Sequence, residues 1–522
     1  MPYPQVLIVG AGPTGLVLAL WLVRLGVRIR IIDKAAEPGT TSRAVGVQAR
    51  TLEFYEQLGL AEPVVARGTK FTAANLWVRG SKVARADFGK MGKGLSPYPY
   101  MLIFPQDEHE RFLIAQLEQE GVTVERRTEL LDFEEGQRVQ VRLKRPDGDE
   151  EVCEADYLAG CDGARSQLRR LLGVGFPGGT YQHLFYVADA LGSGPIMNGE
   201  LHVALDEADF LAAFPMKDSG HARLIGMAEA SGDGQEALSW RDIGKLLLGR
   251  LDTEIKRVSW FSTYHVHHRV ADRFRQGRAF LLGDAAHIHS PVGGQGMNTG
   301  IADAVNLAWK LAAVLRGHAP VTLLDSYEPE RIAFAKRLVA TTDRVFRLVT
   351  SPGRIARFVR VILVPRLFPI LARSLAFRRL MFRTVSQTMI HYRASPLSEG
   401  RAGRVRGGDR LPWIVANVSS GGQADNFAPL ASRDWQVHVY GSKPGPALVE
   451  ACGRKNLALH TFAWSAAAHR AGLLQGATYL VRPDGYVAFA DPEANPARLM
   501  HYLDRQGLNS PVHGTNALAS EA

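Results

Sequence analysis

The sequence predicts an α/β fold in three parts: a βαβ-type domain, a sheet-based insert within it, and a smaller α/β domain behind it. Three observations carry the prediction. A continuous apolar run at 5–9 passes through a glycine turn into a helical stretch at 13–25, and an alternating strand at 28–33 closes the unit on an acid. From Gly175 to about Phe274 the pattern is strand-rich, with one helical stretch at 239–251; a buried-type strand at 278–282 and a helix at 297–315 then resume the first pattern. From Trp413 onward, strands at 436–440, 478–481 and 486–489 mark a separate unit.

Between these anchors lie helices at 50–58 and 109–120, and strands at 139–144 and 151–158 that form a hairpin around Pro146-Asp147-Gly148-Asp149. Residues 344–397 mix apolar runs, arginines and the prolines Pro352, Pro365 and Pro369. Residues 400–408, basic and glycine-rich, read as a linker, and those after Gly507 as a frayed tail. The boundaries that follow are 1–175 and 275–400 for the two parts of the leading domain, 176–274 for the insert and 401–522 for the last domain.

The chain has 522 residues, 46% hydrophobic and 22% charged, which excludes a disordered or collagen-like protein. Its 52 glycines follow no period and point to tight turns around a ligand. A net charge of +10 leaves nucleic acid, a membrane surface and acidic ligands open, so its location must choose. Ten arginines, with no lysine and no acid, lie between Arg344 and Arg383; taking them from the 62 basic residues leaves 52, equal to the acidic count. No nucleic-acid motif or aromatic platform accompanies them, so no nucleic-acid partner is expected. Helical packing with the arginines outward is favoured over peripheral contact with a membrane.

Cys153, Cys161 and Cys452 form no C-x-x-C pair, which argues against a disulfide framework and for a reduced, cytoplasmic compartment. The apolar N-terminus lacks a basic flank and is interrupted by Gly10, Gly12 and Gly15, unlike a signal peptide. No unbroken run of about 18 apolar residues occurs, so the chain reads as soluble.

Gly10-Ala11-Gly12-Pro13-Thr14-Gly15 is a G-x-G-x-x-G between strand and helix, with Asp33 and Lys34 at the end of the next strand. The first glycine makes the turn, the second admits a pyrophosphate, the third lets helix and strand pack, and an acid at position 33 accepts ribose hydroxyls. The pattern is that of a dinucleotide site and does not separate NAD from FAD. Two later segments bear on that choice. Cys161-Asp162-Gly163-Ala164-Arg165-Ser166 follows the apolar strand at 157–160, and Asp284 ends the strand at 278–282, where an acid can bond the hydroxyls of a sugar-alcohol chain. The glycine loop at 293–296 then opens a helix whose free N–H groups suit an electron-rich ring.

Over roughly 6–397 these motifs, in this order, resemble the class A flavoprotein monooxygenases of the p-hydroxybenzoate and phenol hydroxylase type. The resemblance implies a Rossmann-like FAD-binding domain with an inserted β-sheet substrate domain. It also implies tightly bound FAD reduced by NADPH or NADH, and O2 delivering one oxygen atom through a flavin C4a-hydroperoxide to a small phenolic or polycyclic aromatic substrate. Gly10, Gly12, Pro13, Thr14 and Gly15 resemble the ADP-binding turn, and Asp33 with Lys34 the ribose site, where the family more often has Glu. Arg43 resembles the arginine near the flavin pyrophosphate, Gln106 the glutamine on the cofactor chain, and Leu130 a backbone contact to adenine. Asp162 and Gly163 resemble the motif serving both FAD and the nicotinamide cofactor, and Asp284 the ribityl ligand. Pro291 with Gly294, Gly296, Met297 and Asn298 resembles the loop at the isoalloxazine, where the backbone of Pro291 and Gly294 is the catalytic assignment.

No second G-x-G-x-x-G and no W-x-W-x-I-P occur, which argues against a two-dinucleotide reductase and a flavin halogenase. The stretch 479–487 resembles the thioredoxin-like domain appended to phenol and polyketide hydroxylases. Cys452 stands alone there, so that domain reads as structural or dimer-forming, with monomer and homodimer both open. The rival functions are epoxidation or Baeyer–Villiger chemistry on a polyketide, and a flavin-binding protein that has lost oxygenation. His265, His267, His268, His287 and His289 lack an accompanying acid or thiol at metal-ligand spacing, so no metal is expected. Phe185, Tyr186, Phe214, Phe261 and Tyr264, on the insert, are candidates to line the substrate cavity, against the plainer alternative of sheet core.

Overall fold

The computed structural model describes residues 3–39, 44–71, 73–87, 91–205, 210–228, 240, 249, 251–290, 294–350, 353–417 and 423–508. The chain forms two compact units, Met1–Val305 with Arg331–Met389, and Asn306–Glu330 with Ile390–Ala522. The second thus takes in Asn306–Glu330, which the sequence boundaries assign to the leading domain.

The first unit is built around a six-stranded sheet, in the order Arg275–Gln276, Ala279–Leu281, Tyr157–Gly160, Val6–Val9, Ile29–Asp33, Glu125–Arg126. All but the outermost Arg275–Gln276 pair in parallel. Val6, Leu7 and Ile8 are inaccessible to solvent, as a central strand covered on both faces requires, and this is why the run at 5–9 is apolar without alternation. The predicted hairpin is shorter than expected. Val139–Lys144 pairs antiparallel with Glu150–Ala155, while Tyr157–Gly160 leaves it for the parallel sheet, the N–H groups of Asp156 and Tyr157 both donating to Gln5 O at 3.0 Å.

A second sheet of eight strands carries the insert, ordered His287–Ile288, Glu254–Val270, Gly178–Ser193, His221–Ala228, Phe210–Pro215, Leu201–Leu205, Ala73–Val78, Ser81–Asp87. Its last two strands come from within 1–175, which the sequence assigns wholly to the leading domain. Ala73–Val78 pairs in parallel with Leu201–Leu205, a non-local pairing that no local pattern announces. The predicted helix at 239–251 falls mostly outside the described residues.

Between Arg354 and Val385 the chain runs through helical pieces Arg354–Phe358, Val364–Leu371 and Leu375–Val385, with a π-helical turn at Val359–Leu363. Phe368 and Phe382 anchor this segment against Ala49, Ala86 and Met91.

In the second unit, a six-stranded sheet runs Val405–Arg406, Glu399–Ala402, Val487–Asp491, Thr478–Val481, Gln436–Tyr440, Ala458–Phe462. The stretch read as a linker is therefore part of the sheet. Its glycines serve close approach: a Cβ on Gly400 would stand 2.1 Å from Ala490 O, and one on Gly407 2.3 Å from the Glu399 nitrogen. The unit's interior holds a buried charge cluster. The Glu330 carboxylate accepts from Lys310 Nζ (2.9 Å), Asn306 Nδ2 (2.7 Å), Ser395 Oγ (2.6 Å) and the Arg482 guanidinium (2.7 and 3.0 Å). Arg482 also forks onto Asp484 at 3.0 and 2.6 Å.

Candidate cofactor and substrate site

Three adjacent parallel strands, Val6–Val9, Tyr157–Gly160 and Ala279–Leu281, bring the three sequence motifs to one sheet edge, at the strands' carboxyl ends. Open α/β sheets bind ligands at this edge. Gly10 has φ +104°, and a Cβ there would stand 2.3 Å from Cys161 O, so the first motif's turn lies directly on the second motif. A Cβ on Gly15 would stand 2.0 Å from Gly10 O, whereas one on Gly12 would meet nothing within 4 Å. The turn is thus packed behind and open in front, where Pro13 starts the helix Pro13–Arg24 with no acid in its first turn. That open helix end suits a pyrophosphate. Thr14 wedges the third motif in place: Cβ atoms on Gly283 and Gly300 would stand 2.6 and 2.3 Å from its Oγ1.

Asp33 accepts from the N–H groups of Ala11 (2.7 Å) and Ala35 (2.8 Å), with Arg126 Nη1 3.8 Å away. It therefore fixes the glycine loop, while Lys34 beside it is exposed. Gln106 opens the helix Gln106–Gln119 and donates to Glu110 (2.8 Å), whose other oxygen accepts from Gly39 N–H. Leu130 is buried in the strand Glu129–Glu135, paired with Leu143 next to a bulge.

Asp162 caps the helix Gln167–Leu171, its Oδ2 accepting from Gln167 N–H (2.7 Å) and Leu168 N–H (3.1 Å). Its Oδ1 is buried and has no partner among the described residues, beside the open turn of Gly163. Native proteins rarely leave a buried acceptor unpaired, and a ligand hydroxyl or amide would complete it. Arg169 ties this loop to the third motif, donating to Ala164 O and Ala285 O at 2.8 Å each. Asp284 is exposed at the end of its strand.

Beneath the third motif lies a pair that sequence reasoning missed. Asp303 Oδ2 accepts from Gly283 N–H (3.0 Å) and lies 2.7 Å from His287 Nε2, while its Oδ1 accepts from Arg331 Nε (2.6 Å). Burial alone would raise the Asp303 carboxyl, but Arg331 and His287 outweigh it and hold it below the usual carboxylate range. Asn298 is inaccessible and uses its whole amide within the chain: Oδ1 accepts from Gln48 N–H and Thr51 Oγ1, and Nδ2 donates to Gly46 O and Gly294 O. Gln387 Nε2 donates to Gln295 Oε1 (3.0 Å) and Thr299 Oγ1 (2.9 Å) from a left-handed backbone, φ +59°. Together these residues fix the start of the helix Gly296–Leu315, with Gly294, at φ +60°, exposed and Gly296 and Met297 half-buried. His289 Nε2 is buried without a partner among the described residues; burial pushes this imidazole down to about 4 against its bond to Ser290 O, so it is neutral at neutral pH. Arg43 and Pro291 lie outside the described residues.

The aromatic candidates divide between the two faces of the insert's sheet. Phe185, Phe214 and Tyr264 pack with Val187, Met227 and Phe346. Tyr186 and Phe261 pack on the opposite face, with Ala188, Leu211 and Trp240. Strand alternation forbids all of them from lining one cavity. Phe214 also joins a cluster with Val45, Phe71 and Met101, and the Met101 sulfur is 3.3 Å from where a Cβ on Gly46 would stand. The Phe214 face is therefore the one that runs on toward Asn298 and the glycine loop.

Residues 3–342 match the model of a family described as FAD binding domain. The chain is 34% identical over 518 residues to 6-methylpretetramide 4-monooxygenase of Streptomyces rimosus, covering 93% of this chain and 90% of that protein. Among solved structures, anhydrotetracycline hydroxylase from Streptomyces rimosus superposes with a TM-score of 0.77 at 29% identity, over 98% of this chain and 100% of the other. A ternary complex of aklavinone-11 hydroxylase with FAD and aklavinone superposes with a TM-score of 0.78 at 26% identity, over 97% and 99%.

Proposed function

The chain belongs to the FAD binding domain family, and from that premise we propose that it hydroxylates a phenolic or polycyclic aromatic substrate with O2 and NADPH or NADH. It is a flavoprotein monooxygenase that uses FAD. The overall reaction balances as one oxygen atom entering the substrate and the other leaving as water, with NAD(P)H giving two electrons. The observation that carries the reading is the convergence of the Gly12 turn, the unpaired Asp162 Oδ1 and the exposed Asp284 at one sheet edge.

The residues present fit FAD. The open face of Gly12 and the start of the helix Pro13–Arg24 would hold the pyrophosphate, Asp33 the ribose, Asp162 Oδ1 a polar group of the cofactor, and Asp284 the ribityl hydroxyls. When bound, FAD supplies the redox chemistry that passes electrons from NAD(P)H to O2. The chain's own part is placement. Asn298, with Thr51 and Gln48, fixes the backbone at Gly294 and the helix start, whose N–H dipoles would then meet a bound ring without reorganisation. Phe214 and Tyr264, both half-buried, would offer apolar surface to an aromatic substrate, with Phe185 buried in the same cluster.

The last domain is proposed to be thioredoxin-like. Strand–helix–strand–helix–strand–strand–helix connectivity from Gln436–Tyr440 to Pro496–Gln506, with the first strand between the second and third, supports that reading. Among the described residues no helix is long and apolar enough to cross a membrane.

The test is direct. Purified protein is expected to be yellow and to oxidise NAD(P)H with O2 faster when phenols or polycyclic aromatics are added. Asp284→Ala is expected to lower the flavin-to-protein ratio after desalting about tenfold. Protein that stays colourless with added FAD would sink the proposal, and an unchanged ratio in the variant would remove Asp284 from the site.

A further inference from the structure

The segment between Arg354 and Val385 presents an uncovered apolar face. Nine of the fifteen large apolar side chains exposed on described residues belong to it, led by Ile355 (81% exposed), Ile370 (62%) and Phe358 (52%). The arrangement overturns half of the sequence expectation: arginines do lie outward, but many apolar groups lie outward with them. Phe368 and Phe382 turn inward, onto Ala49, Ala86 and Met91. Ile355, Phe358 and Ile362 follow one another at steps of three and four, as do Leu363, Leu367 and Ile370, so each set forms an apolar stripe on its own stretch, the two meeting in the π-helical turn.

Charge identifies what covers that face. The ten arginines between Arg344 and Arg383 have no acid among them, and Arg354, Arg366, Arg373 and Arg379 are exposed with no acidic partner among the described residues. A second copy of this face would bring arginines against arginines. A nucleic-acid backbone would pair the guanidiniums and leave the apolar side chains in water. An anionic bilayer surface offers both complements at once, phosphates at the headgroups and hydrocarbon just beneath. The helical pieces are too short to span, as an interfacial segment requires.

We propose that residues 354–380 form an interfacial surface that docks this enzyme on an anionic phospholipid membrane, apolar face down and arginines at the lipid phosphates. The docking is reversible and salt-dependent, and it does not depend on which substrate the flavin site takes.

The experiment uses the full-length holoenzyme and sedimented vesicles of phosphatidylcholine, with or without phosphatidylglycerol. Partition is expected to be at least about tenfold higher with phosphatidylglycerol and to fall as salt rises. Replacing Arg354, Arg366, Arg373 and Arg379 together by Gln is expected to cut it about 100-fold or more, at roughly fivefold per arginine. Leu367→Ser with Ile370→Ser is expected to cut it about tenfold or more, through lost apolar burial. Flavin content and melting temperature, unchanged in both variants, show that the fold is kept. Equal partition on both lipids, or a quadruple variant that binds like the parent, would overturn the proposal. So would a dimer in light scattering that the Leu367/Ile370 variant abolishes, with no vesicle binding by the parent.

Discussion

The Glu330 cluster of the second unit and the sheet edge of the first treat buried polar groups in opposite ways. In the second, Glu330 accepts from four side chains and every charged partner is enclosed, so the cluster is complete without any visitor. At the sheet edge of the first, Asp162 keeps one buried oxygen and His289 one buried nitrogen unpaired among the described residues, each beside a glycine turn. A buried polar group is costly unless satisfied. A complete cluster is therefore a piece of architecture, whereas an incomplete one at the carboxyl edge of a parallel sheet, beside open glycine turns, suits a ligand that finishes the structure.

The strongest way to break this contrast is to remove Glu330. Glu330→Ala leaves Arg482 with Asp484 but strands Lys310 in the interior with only the Asn306 amide oxygen, and a loss of about 3–5 kcal/mol of unfolding free energy is expected in urea titrations. A loss under about 1 kcal/mol would show that the cluster carries no stability. At the incomplete site the effect should move from stability to ligand. Asp162→Asn keeps an oxygen for the N–H groups of Gln167 and Leu168 but places an amide where the free acceptor stood. FAD retention is expected to fall about tenfold with little change in melting temperature, and the opposite pattern would make Asp162 a helix cap only.

Acid should blur the contrast. Burial holds His109 in the first unit and His438 in the second down to about 3 each, so both are neutral when folded and gain a proton on unfolding. Their contribution is present above the ordinary histidine value near 6.5 and is lost as pH falls toward 3, about 1.4 kcal/mol per pH unit for each. His109→Gln, which keeps a polar partner for Tyr55 Oη, is expected to flatten the fall of melting temperature with pH between about 6 and 4. The smallest effect belongs to Cys452. It is buried, and burial pushes its thiol up to about 11, so it holds no thiolate at neutral pH. Cys452→Ser should leave substrate-stimulated NAD(P)H oxidation within about twofold, and lost turnover would assign the last domain a redox role.

What the sequence made legible was local. The glycine turn, Asp33, Asp162 and Asp284 each stand at the end of an apolar run, where a period change and a turn residue coincide. The misses are non-local. Asn298 meets Gln48 and Gly46 some 250 residues away in the chain, and Gln387 reaches Gln295 across 92. The division of Phe214 from Phe261 was hidden because they lie on separate strands, Phe210–Pro215 and Glu254–Val270, linked only through His221–Ala228 and Gly178–Ser193, so their relative facing rests on non-local register. Residues 400–408 misled for another reason: glycine there permits contact with a neighbouring strand, and composition alone reads it as freedom.

The order of strands in the first sheet has a consequence for synthesis. Val6–Val9 and Tyr157–Gly160 can meet once residue 160 has emerged from the ribosome, but the parallel edge of Tyr157–Gly160 stays open until Ala279–Leu281 follows, some 120 residues later. Made at about 5–20 residues per second, the nascent chain carries an unpaired strand edge for about 6–24 seconds. Thr14 gains its contacts with Gly283 and Gly300 only after that interval. The cofactor site is thus completed late: the first glycine turn, though synthesised at the outset, waits for more than half the chain before Asp284 and the helix Gly296–Leu315 join it.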